Sequence, residues 1–547
     1  MILACIATGL FAYLYLFGYG EIWADESYQT FCVLHPEMTR LAPLTFFMGH
    51  GWLSVTGMKI LNLRFLAVTL GCLTVVVSCF YAWRRTRNVL LASLLFMVCS
   101  WIWRMDAFML YNWESGTLLW DALGMIAAVE FFRRPSCARG AICGAAFALM
   151  TAGRLPSGII MPIFLGILWW GVSGGRLSRR VAWTGGLASS ASFCLVLLLI
   201  IIVLYGSIGA YVSDFSEYVV SGHGVGGGFA KLKWRMMAMV PAVMERNIVP
   251  VACILLPLLF RHRLRDMAQG RASAAEKRRT LIAALICVVC IVVTGIFMVK
   301  QDEAGLQAEG LMGAACGVAG AWILLPAVRN FAWPGKKPLQ TPVLSLAACA
   351  AVLVAMMFGS DAYFERVEAG FSLPVIVAVL WCMGRGAINR YLVTSLGVVM
   401  VGCVSIVATQ WDCMRKVCVY RPIEVPELCT GIVSPDDYDK EYAQWEVAVK
   451  DVRKSGDRWV LLSDDRIRWR LMLGVDDGPG VHDYHFKPSN IWKMPDGELQ
   501  FLDSITAVVY LKEDYMYDSD LQMTLKELAA RGFVNETDRG AAVILRR

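Results

Sequence analysis

The sequence predicts a multi-span α-helical membrane protein, with about thirteen transmembrane helices followed by a small C-terminal α/β extracytoplasmic domain. Three observations carry this expectation. Of the 547 residues, 57% are hydrophobic and only 17% charged, against roughly 25% charged in an average soluble chain. Mean hydropathy is +0.55, and the apolar residues are gathered in blocks that approach the roughly 20 needed for a helix to cross a bilayer. Past residue 410 the blocks cease and polar residues return. This composition excludes a soluble enzyme, a coiled coil, a disordered scaffold and a disulfide-rich secreted module. The net charge of +7 is no nucleic-acid footprint, because the basic residues sit in short bursts between apolar blocks.

The apolar stretches lie at roughly 1–18, 65–83, 89–103, 117–132, 141–153, 157–172, 181–205, 248–260, 280–299, 311–328, 343–358, 371–383 and 391–409. The stretches 141–153, 248–260 and 371–383 are short for a full span and leave room for a core or re-entrant helix. Charge sets the orientation. Alternate loops (84–88, 133–140, 173–180, 261–279, 329–342 and 384–390) hold 21 Lys and Arg in 61 residues, and the opposite loops hold 11 in 127. The basic set is cytoplasmic by the positive-inside rule. The same rule makes Arg154-Leu155-Pro156 a hairpin turn. One long helix over 141–172 would carry Arg176, Arg179 and Arg180 to the outside. The N-terminus is then cytoplasmic, and an odd span count puts the C-terminus outside. The first span lacks a basic n-region and an A-x-A site, so it does not read as a cleavable signal.

Two domains follow: residues 1–410 in the membrane and 411–547 outside it. Within the second, Arg458–Ser463, Ser504–Leu511 and Ala541–Leu545 read as strands and Leu521–Arg531 as a helix, an alternation that fits a small α/β or α+β unit. It holds no Gly-rich phosphate loop. Most of the eighteen cysteines, such as Cys72, Cys79, Cys287 and Cys290, lie in apolar runs and act as small hydrophobes. Cys413, Cys418 and Cys429 fall outside, where oxidation is possible. No Cys or His spacing calls for a metal, and Asn535-Glu-Thr537 fits a glycosylation sequon.

Chemistry is expected in the outer loops 19–64 and 206–247. The first opens Trp23-Ala-Asp25-Glu26-Ser-Tyr28. A carboxylate there can act as general base on an acceptor hydroxyl; the competing reading is an acidic pair capping a helix N-terminus, where the dipole favours anions. The loop continues through His35, Glu37, Arg40, Pro43-Leu44 and Phe46-Phe47 to Trp52 and Gly57, an amphipathic run suited to a helix in the interface.

An acidic pair just after the first span, a Pro-Leu segment with aromatics, a helix ending near Gly57 and Asn62-Leu63-Arg64-Phe65 opening the second span resemble the GT-C glycosyltransferases. The likeness is to the branch of protein O-mannosyltransferases and bacterial aminoarabinose (lipid A) transferases. It covers the architecture of the whole chain and, at the level of motifs, about residues 20–135. The resemblance implies a GT-C-like fold and transfer of a sugar from a polyprenyl-phosphate carrier to a lipid, glycan or protein acceptor on the outer face. Membrane lipids are the other partners, nucleic acid is not one, and no cofactor is needed beyond the lipid-linked donor. It places Asp25 at the catalytic acid, with Glu26 and Tyr28 as motif neighbours. Asn112-Trp113-Glu114-Ser115 before the fourth span puts Glu114 at a second acidic position, with Asp106 as competitor; the other reading of Glu114 is a helix-capping carboxylate. The aminoarabinose branch carries a Lys before its Pro-Pro-Leu. Here the place reads Arg40-Leu41-Ala42-Pro43-Leu44, so Arg40 and His35 are the candidate replacements.

A departing polyprenyl phosphate needs cations, and Arg binds phosphate in bidentate fashion. Arg154, in an outer turn between apolar spans, is the sharpest candidate; its alternative is snorkelling or pairing with a structural carboxylate. Lys231, Lys233, Arg235 and Arg246 follow the glycine-rich run 222–228, which suits a mobile lid; the alternative is a basic interfacial helix. Asp214, Glu217 and His223 have no metal spacing. Asp302, Glu303, Asp361 and Glu365 read as solvated loop ends. Asp121 falls inside the fourth span, one turn from its outer end, where acids are functional candidates unless they reach the interface. The rival function is a polytopic transporter, flippase or polysaccharide polymerase of envelope glycan assembly. Transporters show inverted repeats and midplane sites; no repeat is visible here, and the ionisable residues gather at the outer surface.

Overall fold

The computed structural model describes residues 24–36, 42–104, 111–113, 115–209, 211–212, 273–274, 341–357, 372–383, 421–424, 426–434, 438–463, 469, 471–473, 499–512, 518–540 and 542–547. The stretches 1–18, 248–260, 280–299, 311–328 and 391–409 lie outside them.

Two short helices come first, α1 (Ala24–Leu34) and α2 (Pro43–Thr56), followed by α3 (Ile60–Thr86), α4 (Val89–Arg104), α5 (Leu118–Arg133), α6 (Cys137–Gly153), α7 (Ile160–Ser173) and α8 (Arg179–Tyr205). Later come α9 (Thr341–Met357) and α10 (Ser372–Met383). Each apolar stretch that falls on described residues is a helix within a few residues of its expected ends. The segments 60–86, 155–173 and 179–205 are long and apolar enough to cross a membrane. Within the interfacial segment 35–57 a helix is present: it starts at Pro43, where the missing N–H costs nothing in a first turn, and stops at Gly57, which adopts φ +102°; residues 37–41 lie outside the described residues.

From α3 to α8 the helices run back and forth. Arg84, Arg85, Arg133, Arg134, Arg176 and Arg179 mark one end, and α1, α2 and residues 111–117 mark the other, here called the first-loop end. The hairpin at Arg154 is present. α6 stops at Gly153, Arg154 is extended, and a 3-10 turn over Leu155–Ile159 leads into α7. Pro156 cannot supply the N–H that a continuous helix would need. Small residues allow the closest crossing: a side chain at Gly140 or Gly144 would meet the backbone of Gly185 or Ser189 on α8. The core between helices is apolar and includes Phe131, Phe132, Phe147 and Phe164.

The C-terminal unit carries a four-stranded sheet of β3 (Trp459–Leu462), β4 (Ala507–Leu511), β5 (Asn535–Arg539) and β6 (Ala542–Arg546), in the order β3-β4-β6-β5. Before it comes a two-stranded hairpin of β1 (Arg421–Pro422) and β2 (Val433–Ser434). β3 pairs parallel with β4, and the other pairings are antiparallel. Helices α11 (Tyr438–Ser455) and α12 (Asp518–Ala530) complete it. The three expected strands and the helix are all present. α11 and the edge strand β5 were not anticipated, because α11 is largely polar and β5 reads Asn-Glu-Thr-Asp-Arg without apolar alternation.

Candidate functional site

At the first-loop end the helix ends converge. α1 starts at Ala24, so Asp25 stands in its first turn, where the free backbone N–H groups and the dipole favour an anion. Glu26 follows and is buried. Its two carboxylate oxygens each accept a hydrogen bond from Arg64, from Nε and from a terminal guanidinium nitrogen, both at 2.7 Å. Arg64 sits near the start of α3 and is only 5% exposed, with Glu26 at 2%. This fork geometry gives each carboxylate oxygen a charge-assisted partner.

The rest of α1 is held by apolar packing. Cys32 and Val33 share a core with Phe46 and Leu53 of α2, Leu63 and Leu66 of α3, and Tyr111. His50 of α2 lies with Nδ1 3.0 Å from the Val33 carbonyl; a carbonyl only accepts, so Nδ1 donates. α2 comes this close because residue 49 is glycine, where a Cβ would stand 2.7 Å from Tyr111 and 2.9 Å from Val33. Tyr28 is half-buried on α1, and the ring of His35, just beyond α1, lies tilted against Phe31 with centroids 4.7 Å apart.

Below α2, the Thr45 hydroxyl donates to the Gly153 carbonyl at 2.9 Å and the Tyr111 hydroxyl donates to the Thr45 carbonyl at 2.6 Å. Asn112 and Ser115 cap each other, each backbone N–H donating to the other's side-chain oxygen, and this turn launches α5. Four residues into α5, Asp121 is 2% exposed. It therefore lies inside the bundle rather than at the interface. The Thr117 side chain hydrogen-bonds its carboxyl and Arg154 is close enough to act on it electrostatically. The Arg154 guanidinium is buried and also donates to the Met356 carbonyl near the end of α9. Among the described residues, Asp121 Oδ1 has no hydrogen-bond partner.

Asp25, Glu26, Tyr28 and His35 are thus brought onto α1 or its end. Glu26 is engaged by Arg64 through both carboxylate oxygens, which ties α1 to α3. Arg154 lies under the surface instead of in an exposed turn; it donates to the Met356 carbonyl and acts on Asp121 electrostatically. Arg40, Asp106, Glu114, Lys231, Lys233 and Arg235 lie outside the described residues, as do Asp214, Glu217 and His223. The partnership of Arg64 with Glu26 went unread in the sequence. Its signal was a lone Arg in the first turn of an apolar span, at the same membrane level as the acidic pair.

No protein-family model matches the sequence, and no curated protein matches it. Among solved structures the chain is similar to the crystal structure of ArnT from Cupriavidus metallidurans bound to undecaprenyl phosphate, at 11% identity and a TM-score of 0.35. It is likewise similar to the apo state of that protein, at 11% identity and a TM-score of 0.40. Both likenesses cover 100% of this chain and 97% of the other.

Proposed function

We propose that this chain is an integral-membrane glycosyltransferase. It moves a sugar from a polyprenyl-phosphate carrier to a lipid, glycan or protein acceptor at the outer face of the membrane. The observation that carries the reading is α1: an acidic helix that opens with Asp25 at the mouth of an apolar bundle and is fastened beneath by the buried Glu26–Arg64 fork. A base needs a fixed position more than it needs strength, because proton transfer depends on hydrogen-bond reach.

Asp25 takes the proton of the acceptor hydroxyl. The oxygen attacks the anomeric carbon from the face opposite the carrier phosphate, the bond to phosphate breaks, and configuration inverts. Lys231, Lys233, Arg235 and Arg40 are the cations offered to the leaving phosphate. Arg154, buried beneath the surface within electrostatic reach of Asp121, forms the floor of the site. The acceptor is selected with help from residues 411–547. Two features support the outward orientation: the Arg-rich turns gather at the opposite end, as the positive-inside rule requires, and the C-terminal unit packs on the first-loop end.

The test is a transfer assay in membranes carrying wild type or Asp25→Asn, with a panel of polyprenyl-phosphate sugars and carrier release as readout. Release by wild type with loss of at least about a hundredfold in the variant is the expected result. Equal release by both discards Asp25 as the base. Release by neither shifts the weight to a flippase, transporter or polymerase.

A further inference from the structure

α1 is wedged between two cores. Its Cys32 and Val33 face the membrane bundle. Its Phe31 belongs to a different cluster, the core of the C-terminal unit, together with Ile423, Cys429, Ile432 and Trp445. Ile60, the first residue of α3, is buried in that same core at 0% exposure, and Leu34 and Leu61 pack against it. The contact is close: Gly431, in the turn between β1 and β2, has φ +90° and lies so near Leu61 that a Cβ would stand 2.9 Å from the Leu61 side chain. A domain that merely hung from its linker would keep its own core to itself. Here the core is completed by side chains from α1 and α3, the two helices joined by the Glu26–Arg64 fork.

We infer that the C-terminal unit is a positioning element for α1. Phe31 acts as the key that fixes the angle of the helix, and hence of Asp25 seven residues before its last-turn anchor at Cys32. The inference rests on the reading of α1 as the catalytic helix. The unit acts through α1 and touches no reacting atom. Losing the key leaves the Glu26–Arg64 fork and the Cys32–Val33 packing in place, so the helix stays folded but is no longer held against rolling about its own axis, which changes how its first turn is presented. Rate falls while affinity for the donor changes little, because misplacing a reacting group by about an ångström costs on the order of a hundredfold in rate.

The experiment uses the full chain in nanodiscs, with Gly431→Trp to wedge the contact, Phe31→Ala to remove the key and Phe31→Leu as the conservative replacement. Hydrogen exchange over 24–34 is read beside kcat and KM for the lipid-linked sugar. The expected result is exchange about tenfold or more faster in 24–34 for both disruptive variants, with kcat lowered ten- to a hundredfold, KM within about twofold and Phe31→Leu close to wild type. Unchanged exchange in 24–34 when the 421–434 hairpin has lost its own protection overturns the inference. So does wild-type kcat in Phe31→Ala. If Gly431→Trp does not fold, the two Phe31 variants decide alone. Wild type that releases no carrier defeats the glycosyltransferase reading, and the exchange result still judges the positioning role.

Discussion

Two acid–arginine couples lie at the first-loop end, and they are built differently. Glu26 and Arg64 form a complete fork, with each carboxylate oxygen taken at 2.7 Å. Asp121 and Arg154 are both buried but share no salt bridge and act on each other only electrostatically: the guanidinium donates to the Met356 carbonyl, and Asp121 Oδ1 has no hydrogen-bond partner among the described residues. A saturated couple serves as a fastener: desolvating the two charges is offset only while both remain. An unsaturated one keeps hydrogen-bonding capacity at a cost in stability, since a buried polar atom without a partner is disfavoured by about 1–3 kcal/mol. The first holds α1 to α3; the second leaves one buried carboxylate oxygen, Asp121 Oδ1, without a partner among the described residues.

The largest expected effect comes from breaking the saturated couple. Arg64→Met leaves Glu26 buried and unpaired and should cost about 3–5 kcal/mol. Thermal unfolding in nanodiscs checks this, and adding Glu26→Gln to the variant should recover part of the loss, because no charge is then stranded. Asp121→Asn should cost less, about 1–2 kcal/mol, because Arg154 keeps its carbonyl partner. It should lower transfer by more than its loss of folded protein explains. If Asp121→Asn proves as destabilising as Arg64→Met, the two couples are alike after all.

The smallest effect concerns acid–arginine contacts in water. In the C-terminal unit, Arg539 donates to Asp451 at 2.9 Å and Arg546 to Asp457 at 2.9 Å. The Arg539 hydrogen bond holds the Asp451 carboxyl below its usual value. Burial pushes Asp457 up, but hydrogen bonds from Ser455, Arg546 and Thr506 outweigh it and the net direction is down. Lowered folded values mean stability that is present above the ordinary aspartate pKa of about 4 and lost as pH falls below it through the folded values. Wild type and Asp451→Asn/Asp457→Asn should therefore differ by a few degrees in Tm at pH 7, and the difference should shrink as pH falls below about 4. The expected difference is small because exposed ion pairs are screened.

Much of the fold could be read along the chain. Apolar runs interrupted by Arg-rich turns mark α3 to α10 because a bilayer selects helices of limited length and retains positive charge on one side. Pro156 marks a break because it removes a backbone donor. β5 escaped because it is an exposed edge strand without apolar alternation, whereas α11 carried a readable helical stripe in Trp445, Ala448, Val449 and Val452, which an otherwise polar composition obscured.

For the site, local sequence determined that acids cluster after the first span and that α1 opens near Asp25. Tertiary structure alone decided what each charge does. Glu26 and Arg64 are 38 residues apart, Asp121 and Arg154 are 33 apart, and Phe31 enters a core some 400 residues downstream. Helical and strand periodicities reach only a few residues, whereas the worth of a charge depends on what remains to pair with it once water has been excluded. That is a property of the packed molecule and has no local spacing to betray it.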